Sequence, residues 1–308
     1  MSWKRRIRKR IKNWLIYVVV KSGVLWMSNV QRATAMKFLQ NMATMGFFLV
    51  RSERNKTIRH LTMVYGDSKT PEEIRRMAKA VFANLGRNMA DAFRMSQYNS
   101  DNIDCITKYS GLEILDRALE KGRGVIALTG HIGNWELMGA FLAMKGYTVN
   151  VVGATIYDPR LDDLVVGNRQ NSGLKYIERG SATREIIRAL RRNEIVGLLI
   201  DQDTTRVDGV FVDFLGQKAY TPVGPVMLAL KTKALIVPMA VHMNKNGKHI
   251  IEIREELDLE ISGDVDQDRI RNTQLCSDAL ENFIRSHPRQ WVWMHERWKT
   301  RPEGENLH

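Results

Sequence analysis

From Gly111 onward the chain repeats one pattern: a short apolar run, a turn, then a longer stretch with helical spacing. Apolar runs at 124–129, 148–152, 174–178, 195–200, 234–242 and 249–257 read as strands. Between and around them, 112–121, 134–145, 159–171, 183–192, 223–231 and 266–285 carry apolar residues at three- and four-residue intervals and read as helices. Strands that alternate with helices build a sheet whose neighbours run parallel, because each crossover helix returns the chain to the same end. The expected fold class is therefore α/β, a mostly parallel central sheet with helices on both faces. "LIVPMAVH" and "KHIIEIREEL", joined by the turn "MNKNG", predict an antiparallel hairpin at one edge.

The first hundred residues differ. Two helices are expected in the first fifty, the second over "RATAMKFLQNMATMGFFLV" with Met36, Leu39, Met42, Gly46 and Leu49 in register. "TPEEIRRMAKAVFANLGRNMADAFRM" predicts the clearest soluble helix, with Thr70 and Glu73 as a capping box, Pro71 in the first turn, and Ile74, Met77, Ala78, Val81 and Leu85 as its apolar face. The net charge is +13, and it is not spread evenly: residues 1–60 hold 14 Lys/Arg against the single acid Glu53, leaving 33 bases and 33 acids beyond. Bases beside apolar helices suit an anionic membrane surface better than a nucleic acid, which would want a basic folded face with stacking aromatics. Residues 1–50 are thus expected to be membrane-anchor helices, and 51–308 one α/β domain. Trp3, Trp14, Leu15, Ile16, Val18 and Leu25 would enter the bilayer interface. The uninterrupted apolar run from Trp14 to Val20 is shorter than the roughly 20 residues a span requires, so a helix lying in the interface is preferred to a crossing one or a cleaved leader.

Cys105 and Cys276 show neither disulfide nor zinc spacing, and no metal site is expected from them. The chemistry-bearing stretch is "TGHIGNWE", 129–136, which follows a buried strand. In open α/β sheets, sites form beyond the carboxyl ends of strands, where both His131 and Asp201 fall. Gly130 and Gly133 would let the chain turn sharply there, with Asn134 opening the next helix and Glu136 in its first turn. Glu136 could then reach back and orient His131 as a general base. No GxSxG elbow or neighbouring Ser/Cys supplies a nucleophile, so a dyad here would activate a substrate hydroxyl or water. The ordinary alternative is a loop histidine with satisfied hydrogen bonds.

The His-x4-Glu motif after an apolar strand resembles that of the glycerolipid acyltransferases. "GHIGNWE" is similar to the late (lauroyl/myristoyl) acyltransferases of lipid A biosynthesis, and "NRQNSGLKYI", "GLLIDQD", "GVFVDFLGQKAYTPVGPVMLALKTKALIVP" and "HERWKTRP" agree in order. The resemblance implies a bacterial inner-membrane enzyme facing the cytoplasm. It would move an acyl chain from acyl carrier protein, as a co-substrate thioester with no cofactor, to a hydroxyl of a lipid A precursor or related glycolipid. On that pattern His131 is the base and Glu136 its partner, with Arg169, Asp201 and Asn134 as substrate-binding or supporting residues. Asp201 could itself hold Arg169.

Other readings follow from the same blocks. Phe211, Phe214 and Leu215 in "GVFVDFLG" are either sheet core or the wall of an acyl channel. "QWVWMHERWKTRP", with Trp291, Trp293 and Trp298, suits an interfacial aromatic belt. His242, His249, His287 and His295 have no metal spacing and read as structural or exposed. The rival functions are the same transfer to another glycolipid or lysophospholipid, hydrolysis of the thioester, and a basic binding module without catalysis.

Overall fold

The computed structural model describes residues 3–155, 158–178 and 182–304, with side chains from residue 12 onward, so the expected membrane contact of Trp3 lies outside the described side chains. Four helices come first: α1 (Trp3–Asn29), α2 (Arg32–Leu49), α3 (Arg51–Tyr65) and α4 (Pro71–Phe93). The α/β part follows as β1 (Thr107–Ser110), α5 (Leu112–Glu120), β2 (Val125–Thr129), α6 (Trp135–Met144), β3 (Val149–Gly153), α7 (Pro159–Asn171) and β4 (Lys175–Glu178). It continues through α8 (Ala182–Arg191), β5 (Ile195–Leu199), β6 (Gly209–Phe214), β7 (Gln217–Pro222), α9 (Gly224–Thr232), β8 (Leu235–Met243), β9 (His249–Ile253) and α10 (Val265–Ser286).

Seven strands form one sheet in the order β1-β9-β8-β2-β5-β3-β4. β8, β2, β5, β3 and β4 are mutually parallel, while β9 pairs antiparallel with β8. The mostly parallel sheet is as the alternation predicts. The hairpin, however, is not the edge: β1 pairs parallel with β9 and covers it. The sequence "TKYS" of β1 is short, polar and largely exposed, so it has no apolar run by which to be recognised.

Alternation along β2 divides the core between the sheet's faces. Ile126 and Leu128 pack with α3, α4, α8, α9 and α10, whereas Val125 and Ala127 pack with α5 and α6. α4 is capped as expected, Thr70 Oγ1 accepting from the Glu73 amide and Glu73 Oε2 from the Thr70 amide. Ile74, Met77, Ala78 and Val81 of its apolar face lie in the first cluster with Phe47 of α2, while Ala35, Met36 and Leu39 of α2 form a further small cluster with Met27, Ala90 and Met243.

Of two further apolar stretches, one keeps its core reading and the other sits elsewhere than expected. "GVFVDFLG" belongs to a separate two-stranded ribbon, β6–β7, closed by Leu215 and Gly216, both at positive φ as a tight hairpin turn needs. Phe214 and Leu215 are buried in the first core cluster and not in a channel wall. Trp291, Trp293 and Trp298 do not form an interfacial belt: all three are buried to 1% or less, packed on one another and on Phe214. Their bulk fills the space between ribbon, α10 and sheet, and burial of such rings outweighs an interfacial position.

Candidate active site

The register of two neighbouring strands builds the site. Thr129 of β2 lies opposite Leu199 of β5, so the residues two beyond each, His131 and Asp201, emerge side by side from the carboxyl edge of the sheet. This is where the connections diverge: the chain leaves β2 towards β3, and leaves β5 towards β8 on the other side. Asp201 is fully buried, and its Oδ1 lies 2.8 Å from His131 Nδ1. Its Oδ2 accepts from the His131 backbone amide at 2.7 Å and from the Trp291 indole at 2.7 Å. Burial alone would push this carboxyl up, but the adjacent His131 ring and the three N–H groups outweigh it and hold the group well below the usual carboxylate range. The carboxylate is therefore ionised and fixes Nδ1 of His131 as the protonated nitrogen, leaving Nε2 as a base.

The expected partner of His131 was Glu136, and the structure reassigns it. Glu136 instead takes a two-bonded pair from Arg169, Nε at 2.9 Å and Nη2 at 2.5 Å from its two oxygens. Those bonds to Glu136 also raise the guanidinium further above its ordinary value. The cause is local: Asn134 caps α6, its Oδ1 accepting from the Leu137 amide, so Glu136 projects from the first turn towards α7 and not back into the loop. Asn134 also donates to the Asn88 carbonyl, which ties the start of α6 to α4. Arg169 accordingly pairs with Glu136 and not with Asp201, and lies against the end of β3, where a Cβ on Gly153 would stand 2.8 Å from its Nη1.

Two glycines make the turn. Gly133 has φ +58°, and a Cβ there would lie 2.1 Å from the Val241 carbonyl oxygen. Gly130 has no positive φ; its need is close approach, since a Cβ would meet Asp201 Oδ2 at 2.9 Å. The loop is held from behind as Ile132 bridges Trp291, the Gly133 amide donates to the Gln290 carbonyl, and the Val292 amide donates to the His131 carbonyl.

Three residues at the site are not evident from the motif. Trp291 anchors the buried carboxylate. Gln202 Nε2 lies 3.0 Å from His131 Nε2 and 2.8 Å from His295 Nε2, so one amide can donate to both rings. His295, read as structural or exposed, stands with its ring 5.0 Å from that of His131, and burial together with that neighbour holds it down to about 4. It is neutral at neutral pH. Adjacency to Asp201 in "DQD" is the signal that could have found Gln202; His295 has none beyond the "HERW" block.

His131, only partly exposed, opens onto a cavity of about 1360 Å³ that also touches Trp135, Glu136, Arg169 and Gln202. Its inner wall is apolar, drawn from Ala127, Met138, Leu142, Val149, Val151 and Met239, and Gly139 and Gly197 leave room along it. The volume exceeds the roughly 300–1,000 Å³ of ordinary small-molecule sites, which fits long apolar substrates. A histidine paired with a buried carboxylate, at the mouth of a large cavity on an α/β sheet, is an arrangement able to activate a hydroxyl or water beside a long apolar chain.

The comparisons agree with that reading. A sequence profile described as bacterial lipid A biosynthesis acyltransferase matches residues 1–300, and the chain belongs to that family of acyltransferases. It is 29% identical to a phosphatidylinositol mannoside acyltransferase of Mycobacterium tuberculosis over 227 residues, 71% of this chain and 69% of the other. It is 25% identical to a lipid A biosynthesis acyltransferase of Haemophilus influenzae, covering 78% and 74% of the two chains. With the lipid A biosynthesis lauroyltransferase of Escherichia coli K12 it shares 27% identity over 76% of this chain and 75% of the other.

Proposed function

We propose that the protein transfers a fatty acyl chain from the thioester of acyl carrier protein to a hydroxyl of a lipid A precursor or related glycolipid. The observation that carries this reading is the His131–Asp201 pair opening onto an apolar cavity of about 1360 Å³. His131 Nε2 takes the acceptor hydroxyl's proton as the oxygen attacks the thioester carbon. The tetrahedral oxyanion collapses, the C–S bond breaks, and the imidazolium returns the proton to the departing thiolate, giving ester and free thiol. Asp201 keeps His131 in the productive tautomer and stabilises its charged form. Gln202 Nε2, 3.0 Å from His131 Nε2, must move aside for the hydroxyl, and its amide is placed to donate to the oxyanion. The Glu136–Arg169 pair lines the cavity, and Arg169 offers a guanidinium to an incoming phosphorylated group.

Membrane attachment belongs to the same reading, with the enzyme on the cytoplasmic face of a bacterial inner membrane. Trp14, Leu15, Val19 and Leu25 of α1 and Met45, Phe48, Leu49 and Val50 of α2 and its end are each about half or more exposed. No helix among the described residues is long and apolar enough to cross a membrane, so the attachment proposed is interfacial. A mannosylated phospholipid acceptor is the second reading, favoured by the 29% identity to the mycobacterial enzyme.

The test is incubation of purified protein with acyl carrier protein or coenzyme A thioesters and either acceptor, with the mass of the product measured. A gain of one acyl group on the lipid A precursor supports the first reading, and a gain on the mannolipid alone supports the second. Free fatty acid released at the same rate without acceptor would show a hydrolase and refute both.

A further inference from the structure

The strands β3, "VNVVG", and β5, "IVGLL", are neighbours inside the sheet, yet neither is buried to its end. Val149, Asn150, Ile195 and Val196 are buried, whereas Val151 to Gly153 and Gly197 to Leu199 are only partly so. The ladder supplies the reason. β3 pairs with β5 only as far as Val151 opposite Gly197, while β5 goes on pairing with β2 to Leu199 and β3 with β4 to Gly153. Each strand keeps its other neighbour and leaves this one, so the sheet forks at its carboxyl edge, one strand away from His131.

Side chains along a strand alternate between the two faces. Ala127, Gly197 and Val151 are register partners on the face covered by α6, and Leu198 and Val152 fall on the face covered by α8 and α9. All five line the cavity onto which His131 opens, so that cavity reaches both faces where the strands part. Its two sides differ. Under α6 the wall of Ala127, Met138, Leu142, Val149 and Met239 is closed, each residue being 4% exposed or less. Between α8 and α9 the wall includes Ile186, Ile187, Leu198 and Leu228, but it continues to Val207, Met227 and Val265, which are 42%, 38% and 61% exposed. This side is open to the surface. Arg206, Lys231 and Lys299 line it as well, exposed and with no ion pair among the described residues, while its acids Asp203 and Asp208 are engaged by Thr300 and Arg269.

We propose that the compartment between α8 and α9 binds a fatty acyl chain already carried by an anionic acceptor lipid, while the pocket under α6 holds the chain being transferred; this rests on the acyl-transfer reading above. A closed apolar pocket beside His131 suits a single chain delivered end first by a thioester carrier. An open apolar wall under a rim of free cations suits a chain that stays tethered to a phosphorylated headgroup, its burial stabilised by the hydrophobic effect and the headgroup by charge. The volume of about 1360 Å³, above the roughly 300–1,000 Å³ of one ordinary small-molecule site, leaves room for both. The fork lets the two chains lie on opposite faces of the sheet while their heads meet at its carboxyl edge, where His131 stands.

The full chain, in phosphatidylcholine nanodiscs, is irradiated with one of two photoreactive probes, and the labelled peptides are mapped by mass. One probe is phosphatidic acid with a diazirine in an acyl chain; the other is a fatty acyl coenzyme A thioester with a diazirine in its chain. The phosphatidic acid is expected to label α8 and α9, in competition with unlabelled lipid A precursor or mannolipid, and the thioester to label α6. Ile187→Trp, checked by circular dichroism, should cut the labelling of α8 and α9 about tenfold and leave that of α6 in place. If Ile187→Trp does not fold, Leu228→Phe decides. Phosphatidic acid that labels α6 or nothing above background, a thioester chain that labels α8 and α9, or labelling that neither acceptor lipid displaces would overturn the proposal. Failure of the acyl-transfer reading shows separately, as absence of acylated product in the mass assay while the labelling map stands.

Discussion

Asp201→Asn separates the observed pairing from the one the linear motif suggests. The aspartate accepts three hydrogen bonds, from the His131 amide at 2.7 Å, His131 Nδ1 at 2.8 Å and the Trp291 indole at 2.7 Å. Asparagine is nearly isosteric, and its carbonyl oxygen can take the place of Oδ2, since two of the three donors meet there. Its NH₂ group must then face Nδ1, so Nδ1 becomes an acceptor and the proton moves to Nε2. The base is blocked in the wrong tautomer while the loop geometry persists. Comparable exchanges in His–carboxylate pairs cost about 10⁴-fold in turnover, or roughly 5.5 kcal/mol of barrier. Stability should fall by only about 1–3 kcal/mol, the scale of weakened buried hydrogen bonds. The assay is single-turnover acyl transfer followed by mass, beside circular dichroism and a denaturation curve, with Glu136→Gln in parallel. If folded Asp201→Asn kept more than a tenth of wild-type turnover while Glu136→Gln lost about 10⁴-fold, the assignment of Asp201 would be wrong and Glu136 would be the orienting group.

Arg169→Lys keeps the charge but not the planar two-bonded contact, so kcat/KM should drop about tenfold. Glu136→Gln combined with Arg169→Lys should be scarcely worse than either alone, because the two side chains form one unit. Gly133→Ala must hold alanine at φ +58° with its Cβ 2.1 Å from a carbonyl oxygen; a loss of about 3 kcal/mol or more in chemical denaturation is expected, and a loss under about 1 would show that the loop adapts freely. Asp91 and Asp201 both titrate below the usual carboxylate range in the folded chain. Their contribution is present above the unfolded carboxylate value near 3.9 and is lost as pH falls through the lower folded values, so the thermal midpoint should be level near neutrality and decline below about pH 4. Trp14→Ser with Leu15→Ser, at positions 52% and 50% exposed, should weaken co-sedimentation with anionic vesicles about tenfold or more and leave the fold intact; unchanged co-sedimentation would place the attachment elsewhere.

The fold was legible because the central strands β2 and β8 are buried almost throughout and so write long apolar runs. What did not announce itself was held by other forces. β1 is a strand by its hydrogen bonds to β9, and its half-exposed polar side chains carry no periodicity. The tryptophans after α10 are flanked by basic residues in sequence, which suggested a membrane surface, yet Arg297 is buried with them, stacked over Phe214 at 4.5 Å and donating to the Tyr220 carbonyl. Membrane-like composition there comes from a buried cation meeting its partners inside the fold.

The site shows the same division between what a linear pattern carries and what only the sheet supplies. Position along one segment argues for His131 with Glu136, five residues apart, but a helix that starts at Trp135 directs Glu136 away from the turn that precedes it. In a parallel sheet the nearest chemical neighbour of a residue past one strand end is the residue equally far past the adjacent strand end. Val125 to Thr129 lie opposite Ile195 to Leu199 one for one, so His131 meets Asp201, seventy residues away in sequence, without any local motif linking them. The same counting explains why Gly130 must be glycine: it stands where β2 ends, directly against the carboxylate. Two equal offsets, two residues past each strand, thus replace the single spacing of His-x4-Glu as the geometric basis of the histidine's pairing, and that spacing is left to hold Arg169 at the cavity mouth.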